Sequence, residues 1–397
     1  MGPITRFANL YSSSNTKTAY KSALFLFMDC IYGNQRAGTK ANNEEQARYD
    51  TLAEQYLSDT ERDRLVDLMT FVSTMGKRPP FTAKLYIGAV KEFMAINNID
   101  FSSRELKRVR SKLPKGSTRT IESDMTHETL KSILQHMDVK GRALVLVLAS
   151  SGMRIGELLQ IRISDVSLTT EPGEISIRGE FTKTGEQRVT FISREAVHAV
   201  NEWLKVRDSY IESAKNRNAG LIAGGYSKAR QDTEDRRLFP MTPENVGKIW
   251  NNALSNAGLL TIDEGTGRKQ LHVHMLRKFF RSQLAMSCPV DIVESLMGHA
   301  GYLTDAYRRI GKPQMAEAYL KNEFRVTIQT PRELQEISNN FENKMQAHSD
   351  LIVNLSNENL QLKNQIGSIL QEMERVRSLV EFIESDPRFP VLVDQRS

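Results

Sequence analysis

Seven consecutive apolar residues, Ala143–Ala149, constrain this chain more than any other stretch. A helix that is apolar on every face has no solvent side, so it belongs at the centre of a core with other elements wrapped round it. Ahead of it, Thr126 as N-cap and Glu128 in the first turn predict a helix over about 127–137. Behind it, Ser150–Gly152 breaks the pattern and Arg154 emerges, with Glu157 three residues on. An arginine placed there either stands at a functional site or pairs with its own i+3 glutamate at the surface.

One such core cannot account for 397 residues, which imply two or three domains. Residues 1–14 read as a flexible arm. Tyr20, Leu24, Phe27 and Ile31 then recur at helical spacing, with Gly33 placed to stop the helix. Amphipathic segments follow at about 44–57, 60–74 and 82–97, the last preceded by Pro79 and Pro80, so 15–113 reads as a small helical domain. A linker is expected over 114–124, where Pro114 and Gly116 fall. The surrounding stretch carries Arg104, Lys107, Arg108, Arg110, Lys112, Lys115 and Arg119 against one acid, Glu105. It is either a solvated linker helix or a phosphate-holding surface with salt-dependent affinity.

After the apolar helix, Ile175 and Ile177, then Val189 and Phe191, alternate with polar residues. That period of two predicts a hairpin with Lys183 near its tip, solvated or free to reach a partner. Helix is expected again over 194–209, then a mobile loop over 213–236, then a helix from Thr242 and Pro243 to about Ala257.

The stretch 272–309 carries the most chemistry. His274 and Arg277 are three apart, close to one helical face, and Gly298-His299 and Tyr307 follow. Imidazole moves protons near neutral pH, a guanidinium fork grips phosphate oxygens, and a phenol can act as a covalent nucleophile. Together they suit attack on a phosphodiester.

From Pro331 onward a heptad repeat runs to Ile383. Leu334, Phe341, His348, Leu355, Leu362, Ile369, Val376 and Ile383 take the d positions. Ser338, Met345, Ile352, Asn359, Ile366, Met373 and Val380 take the a positions. A coiled-coil helix is expected over 331–386, with Asn359 favouring a parallel dimer, or else a long helix folded back on the body. Residues 387–397, opened by Pro387 and Pro390, form a tail.

Net charge is +6 overall, but from Pro331 seven Lys/Arg face eleven Asp/Glu, so the tail carries −4 and residues 1–330 carry +10. A basic body with a pI near 9.1 favours a polyanionic partner. The two cysteines, Cys30 and Cys288, lack ligand spacing, so neither a disulfide framework nor a metal site is expected, and no cofactor. No apolar run of signal-peptide or membrane-spanning length occurs, so the expectation is a cytoplasmic, DNA-associated protein without membrane contact.

With these residues together, the sequence resembles the tyrosine recombinase (phage integrase) family over most of residues 10–325. Gly152-Met153-Arg154-Ile155-Gly156-Glu157-Leu158 resembles the family's first arginine motif, with Glu157 supporting. Lys183 stands at the hairpin lysine, His274 and Arg277 at its His-x-x-Arg, Gly298-His299 at its Gly-His, and Tyr307 at its tyrosine. Here the tyrosine comes eight residues after His299 rather than nine or so, which keeps Tyr302 as a fallback and leaves Tyr319 too far along.

The resemblance implies a mainly α fold with a small antiparallel β-sheet: a helical core-binding domain, then a catalytic domain over 125–330. It implies a site-specific recombinase or integrase acting on double-stranded DNA through a 3′-phosphotyrosyl intermediate, without ATP or metal, and a homo-oligomer, tetrameric at synapsis. The roles implied are phosphate clamps for Arg154 and Arg277, proton acceptor for His274 and leaving-group acid for Lys183. His299 would contact the phosphate or the tyrosine, and Tyr307 would be the nucleophile. A type IB topoisomerase, or a non-catalytic DNA-bridging protein dimerised by its coil, stays open as an alternative.

Overall fold

The structure, a computed structural model, describes residues 1–38, 40–116, 120–223, 235–299, 310–329 and 331–385. Arg119, Tyr302, Tyr307, the tail 387–397 and residues 224–234 of the expected loop lie outside the described residues. The chain divides into two compact units, Met1–Ser123 with Thr261–Gln270, and Asp124–Leu260 with Leu271–Ser397.

The first unit holds helices α1 (Pro3–Asn9), α2 (Ser14–Tyr32), α3 (Asn43–Ser58), α4 (Arg64–Thr74), α5 (Pro80–Ile96) and α6 (Ser103–Lys112). Their starts follow local chemistry. Asn42 and Glu45 form a capping box for α3, Asp63 accepts from the Leu65 and Val66 amides to open α4, and Ser102 with Glu105 caps α6. Leu24 and Phe27 of α2 are fully buried among Phe71, Val90 and Phe93, with Tyr20 and Ile31 packed beside them.

One expectation fails here. Pro3–Asn9 is not a loose arm but a packed helix, because Ile4, Phe7 and Ala8 make a buried stripe. The Phe7 ring stacks on Tyr20 at 5.7 Å and meets the edge of Phe93 at 5.5 Å, while Thr5 is held to Asp50 at 2.6 Å.

The second unit is built on α8 (Val139–Ser151), in which every residue from Ala143 to Ser151 is buried. Around it lie α7 (His127–Gln135), α9 (Ile155–Leu158), α10 (Arg194–Ala223), α11 (Pro243–Asn256), α12 (Met275–Leu284), α13 (Val290–Met297) and α14 (Lys312–Asn322), with α10, α12 and a strand packed directly on α8. The helix expected to stop near 209 continues as α10 to Ala223, so the first part of the expected loop is helical.

Strands β1 (Val166–Ser167), β2 (Gly173–Ile177) and β3 (Arg188–Ile192) form an antiparallel sheet in that order, with Ile175 opposite Thr190 and Ile177 opposite Arg188. β2 alternates as its sequence predicts, whereas Thr190, Phe191 and Ile192 of β3 are all buried. The reason is that β3 is covered on both faces. Ile192 joins the α8 core, and Phe191 joins a second cluster with Phe280, Leu284, Leu296 and Tyr319. A second hairpin, β4 (Ile262–Asp263) with β5 (Arg268–Lys269), belongs to the first unit and completes the described strands. The fold is thus mainly α with a small antiparallel sheet, as expected.

The last described element is α15 (Pro331–Ser385), a single 55-residue helix. At about 1.5 Å per residue it is on the order of 80 Å long.

Candidate active site

The site forms where α8 and α13 both end. An α-helix leaves its last carbonyls without intrahelical partners and carries partial negative charge there. At the end of α8, three side chains from three elements take up those acceptors. The Tyr319 hydroxyl of α14 donates to the Ser150 carbonyl at 2.8 Å, Thr190 of β3 donates to Ser151 at 2.9 Å, and Arg277 of α12 donates to Gly152.

Arg277 also donates to the Met297 carbonyl at the end of α13, at 2.8 Å, so one guanidinium joins two helix C-termini. Its side chain is almost fully buried. Two helix ends supply the counter-potential that makes burying a cation tolerable.

Gly152 makes the turn possible. It sits at φ +63°, in the left-handed region, and a Cβ there would run into the ring of Phe280. Gly298 plays the same part for α13, at φ +71°, with Arg188 atoms 2.8 Å from where a Cβ would stand.

Arg154 follows as N-cap of α9. Its amide donates to Glu157 at 2.9 Å and its guanidinium reaches the same carboxylate at 3.0 Å, yet a third of its side chain stays exposed. Glu157 is buried, and its other partner is Arg188, at 2.6 Å. Burial alone would raise the Glu157 pKa. Arg188 and then Arg154 outweigh it and hold the carboxyl below its usual range. Arg188 in turn donates to the Leu296 carbonyl at 3.2 Å, tying β3 to α13.

His299 follows Gly298, within reach of Arg277. Arg277 donates to His299 Nε2 at 2.8 Å, so that nitrogen carries a lone pair and the ring proton lies on Nδ1, which faces Glu294 Oε2. Glu294 also binds Arg281 at 2.5 Å. Burial would raise its carboxyl pKa, but His299 and Arg281 hold it down. A carboxylate behind an imidazole fixes its tautomer and orientation, as an orienting group does in a proton relay.

His274 is the N-cap residue of α12, with its ring exposed and 6.4 Å from that of His272. Partial desolvation, then the positive charge of Arg277, lowers its pKa. Burial and then Arg154 push Arg277 itself down to about 10, so it remains charged at neutral pH. These neighbouring cations repel one another, and an anion placed among them relieves that repulsion.

Because His274 titrates below the ordinary 6.5, it is neutral at physiological pH and able to accept a proton. If it is the base, the acid limb of kcat/KM for the reaction at this site should lie below pH 6.5, with rate lost as pH falls through it. That limb should vanish in His274→Ala, and a limb unchanged in the variant would exclude His274 as the titrating group.

The structure therefore gathers Arg154, Glu157, His274, Arg277 and His299 in the second unit. Lys183 lies exposed between β2 and β3, outside the hydrogen-bonded cluster. Tyr319 is fully buried, and burial and then the Glu323 charge push its phenol well above the tyrosine range, which removes it as a nucleophile. In the first unit, Arg104, Lys107, Arg108, Arg110, Lys112 and Lys115 are all exposed on and just after α6, while Val109 anchors that helix to its core.

Residues 123–310, the span that holds this cluster, match the family model described as the phage integrase family. That stretch is a phage integrase family domain. Among its relatives, tyrosine recombinase XerD of Rickettsia conorii is 24% identical over 205 residues, 49% of this chain and 61% of XerD. Tyrosine recombinase XerA of Pyrococcus horikoshii is 24% identical over 247 residues, 62% of this chain and 74% of XerA. A crystal structure of XerH site-specific recombinase bound to its difH substrate is 17% identical, covers 83% of this chain and 96% of XerH, and has a TM-score of 0.42. The match to the Rickettsia protein thus spans less than two thirds of that protein's length.

Two residues of this site were not anticipated from sequence. Arg188 heads a strand and looks like any hairpin cation, and its role comes from the register that points it at Glu157 and α13. Glu294 lies five residues before His299, a spacing that meets only because α13 ends in the left-handed Gly298. Among the described residues no group of three His, Cys, Asp or Glu side chains is placed to hold a metal ion, and no helix is long and apolar enough to cross a membrane.

Proposed function

We propose that this chain is a site-specific DNA recombinase that cuts and rejoins double-stranded DNA through a 3′-phosphotyrosyl intermediate. The observation that carries the reading is the cluster of mutually repelling cations, Arg154 and Arg277 with His274 beside them, at the paired ends of α8 and α13. A phosphodiester is the anion such a site suits, since its charge spreads further over the non-bridging oxygens in the transition state. The relatives' names, tyrosine recombinase, point the same way.

In this scheme Arg154 and Arg277 face the non-bridging oxygens, and Glu157 holds Arg154 for that task. The Tyr307 oxygen attacks phosphorus, its proton passing to His274. The bond from phosphorus to the 5′ oxygen breaks as Lys183 protonates the departing oxygen. His299 contacts the phosphate or the tyrosine. The ester keeps the energy of the broken bond, so the 5′ hydroxyl of another duplex reverses the step without ATP. Arg104, Lys107, Arg108, Arg110, Lys112, Lys115 and Arg119 hold the DNA backbone, giving binding that weakens steeply with salt. A tetramer brings two duplexes together at synapsis, and a DNA substrate sets the protein's place of work in the cytoplasm.

The test is a nicked duplex carrying the protein's recombination site. Wild-type protein should form a covalent adduct that peptide mass maps to Tyr307, and Tyr307→Phe should form none while binding DNA as before. An adduct at Tyr302 would move the nucleophile. Relaxation of supercoils without exchange between sites would overturn recombination, and no adduct at all would overturn the reading.

A further inference from the structure

Between 350 and 382 the a and d residues of α15 stand in solvent. Ile352 is 67% exposed, Leu362 55%, Ile366 56%, Ile369 56% and Met373 64%, and the side chains described from 350 to 382 are exposed on every face. A helix whose apolar seam is left this exposed is incomplete, since helices gain most of their stability from packing an amphipathic face.

The flanks of the seam say what covers it. Within 350–382 the g positions are Leu351, Glu358, Gln365, Glu372 and Leu379, and the e positions are Ser356, Lys363, Leu370 and Arg377. The g column therefore carries acids and no base, and the e column bases and no acid. In a parallel in-register pair, each g residue faces the e residue of the next heptad on the partner. Glu358 then meets Lys363, and Glu372 meets Arg377, twice each by symmetry. An antiparallel pair sets g against g and e against e, bringing acid to acid and base to base.

Asn359 adds a second constraint at an a position. Its amide now donates to the Leu355 carbonyl of its own helix at 2.9 Å. In the parallel register it meets its own copy. A shift by one heptad would press it against Ile352 or Ile366, leaving a polar group in an apolar layer.

We propose that residues 350–382 of α15 bind the same segment of a second copy of this chain as a parallel, in-register, two-stranded coiled coil. The partner is a copy rather than an unrelated helix because the charge pattern complements itself. The pairing needs no DNA, and it stands apart from the cleavage chemistry proposed above. It delivers the protein to DNA as preformed pairs.

The experiment uses full-length protein. Light scattering without DNA should give the mass of a dimer. Glu358→Lys with Glu372→Lys makes both flanks basic, and Lys363→Glu with Arg377→Glu makes both acidic. Each double variant alone should associate at least tenfold more weakly, and mixing the two should restore a dimer containing one of each. Leu355→Cys should oxidise to a disulfide joining the 355 peptides of two copies. A monomeric wild type, a dimer indifferent to both reversals, or a Leu355→Cys chain that forms no such disulfide would overturn the proposal. None of these readouts contains DNA, so their failure leaves covalent adduct formation untouched, and loss of the adduct leaves the coil standing.

Discussion

Arg277→Ala is expected to lower strand cleavage by about 10²-fold or more, the scale seen when one stabiliser of transition-state charge is removed. It should also loosen the fold, which a residue that only touched substrate would not do. The guanidinium satisfies the Gly152 and Met297 carbonyls at two helix ends, and each acceptor left buried and unpaired costs about 1–3 kcal/mol. Relief of repulsion with Arg154 offsets part of that loss. Arg277→Lys separates the two effects. An ammonium keeps the charge but cannot span both helix ends with a planar fork. Thermal unfolding should then recover in part while cleavage does not, and a lysine variant with wild-type cleavage would contradict the account.

Gly152→Ala should act almost wholly on folding. A left-handed backbone at a residue with a side chain costs about 1–3 kcal/mol. Crowding the Phe280 ring adds about 1–3 kcal/mol for an overpacked core. The unfolding midpoint of the second unit should fall by several degrees, and any cleavage lost should track the unfolded fraction. Phe280→Leu in the same chain makes room for the methyl but leaves the backbone strained, so only part of the stability should return. Full return would show that the φ of +63° contributes nothing.

Much of this was legible beforehand, for reasons that differ by residue. The run Ala143–Ala149 names its own burial, and Thr126 is a side chain whose oxygen caps the helix it precedes. Arg154, Glu157, His274, Arg277 and His299 sit in short local patterns, so their spacing survives in a string of letters. Arg188 and Glu294 do not, because each is brought to the site by tertiary register rather than by neighbours in sequence. The N-terminal segment misled for a related reason. Pro3–Asn9 is too short to show a period, and what makes it helix is the aromatic contact of Phe7 with Tyr20 and Phe93 across the unit. Lys183 was identifiable as a hairpin lysine, but an exposed turn says nothing about where its ammonium goes when a partner arrives.

The end of α8 is completed only when α12, α14 and β3 have all docked on it, and Arg277 is seated only when α13 has closed as well. A nascent or half-unfolded copy thus has its arginines scattered and its histidine unaligned. For a polypeptide proposed to cut duplex DNA, that ties the power to break a strand to the finished fold, an interlock written into the scaffold.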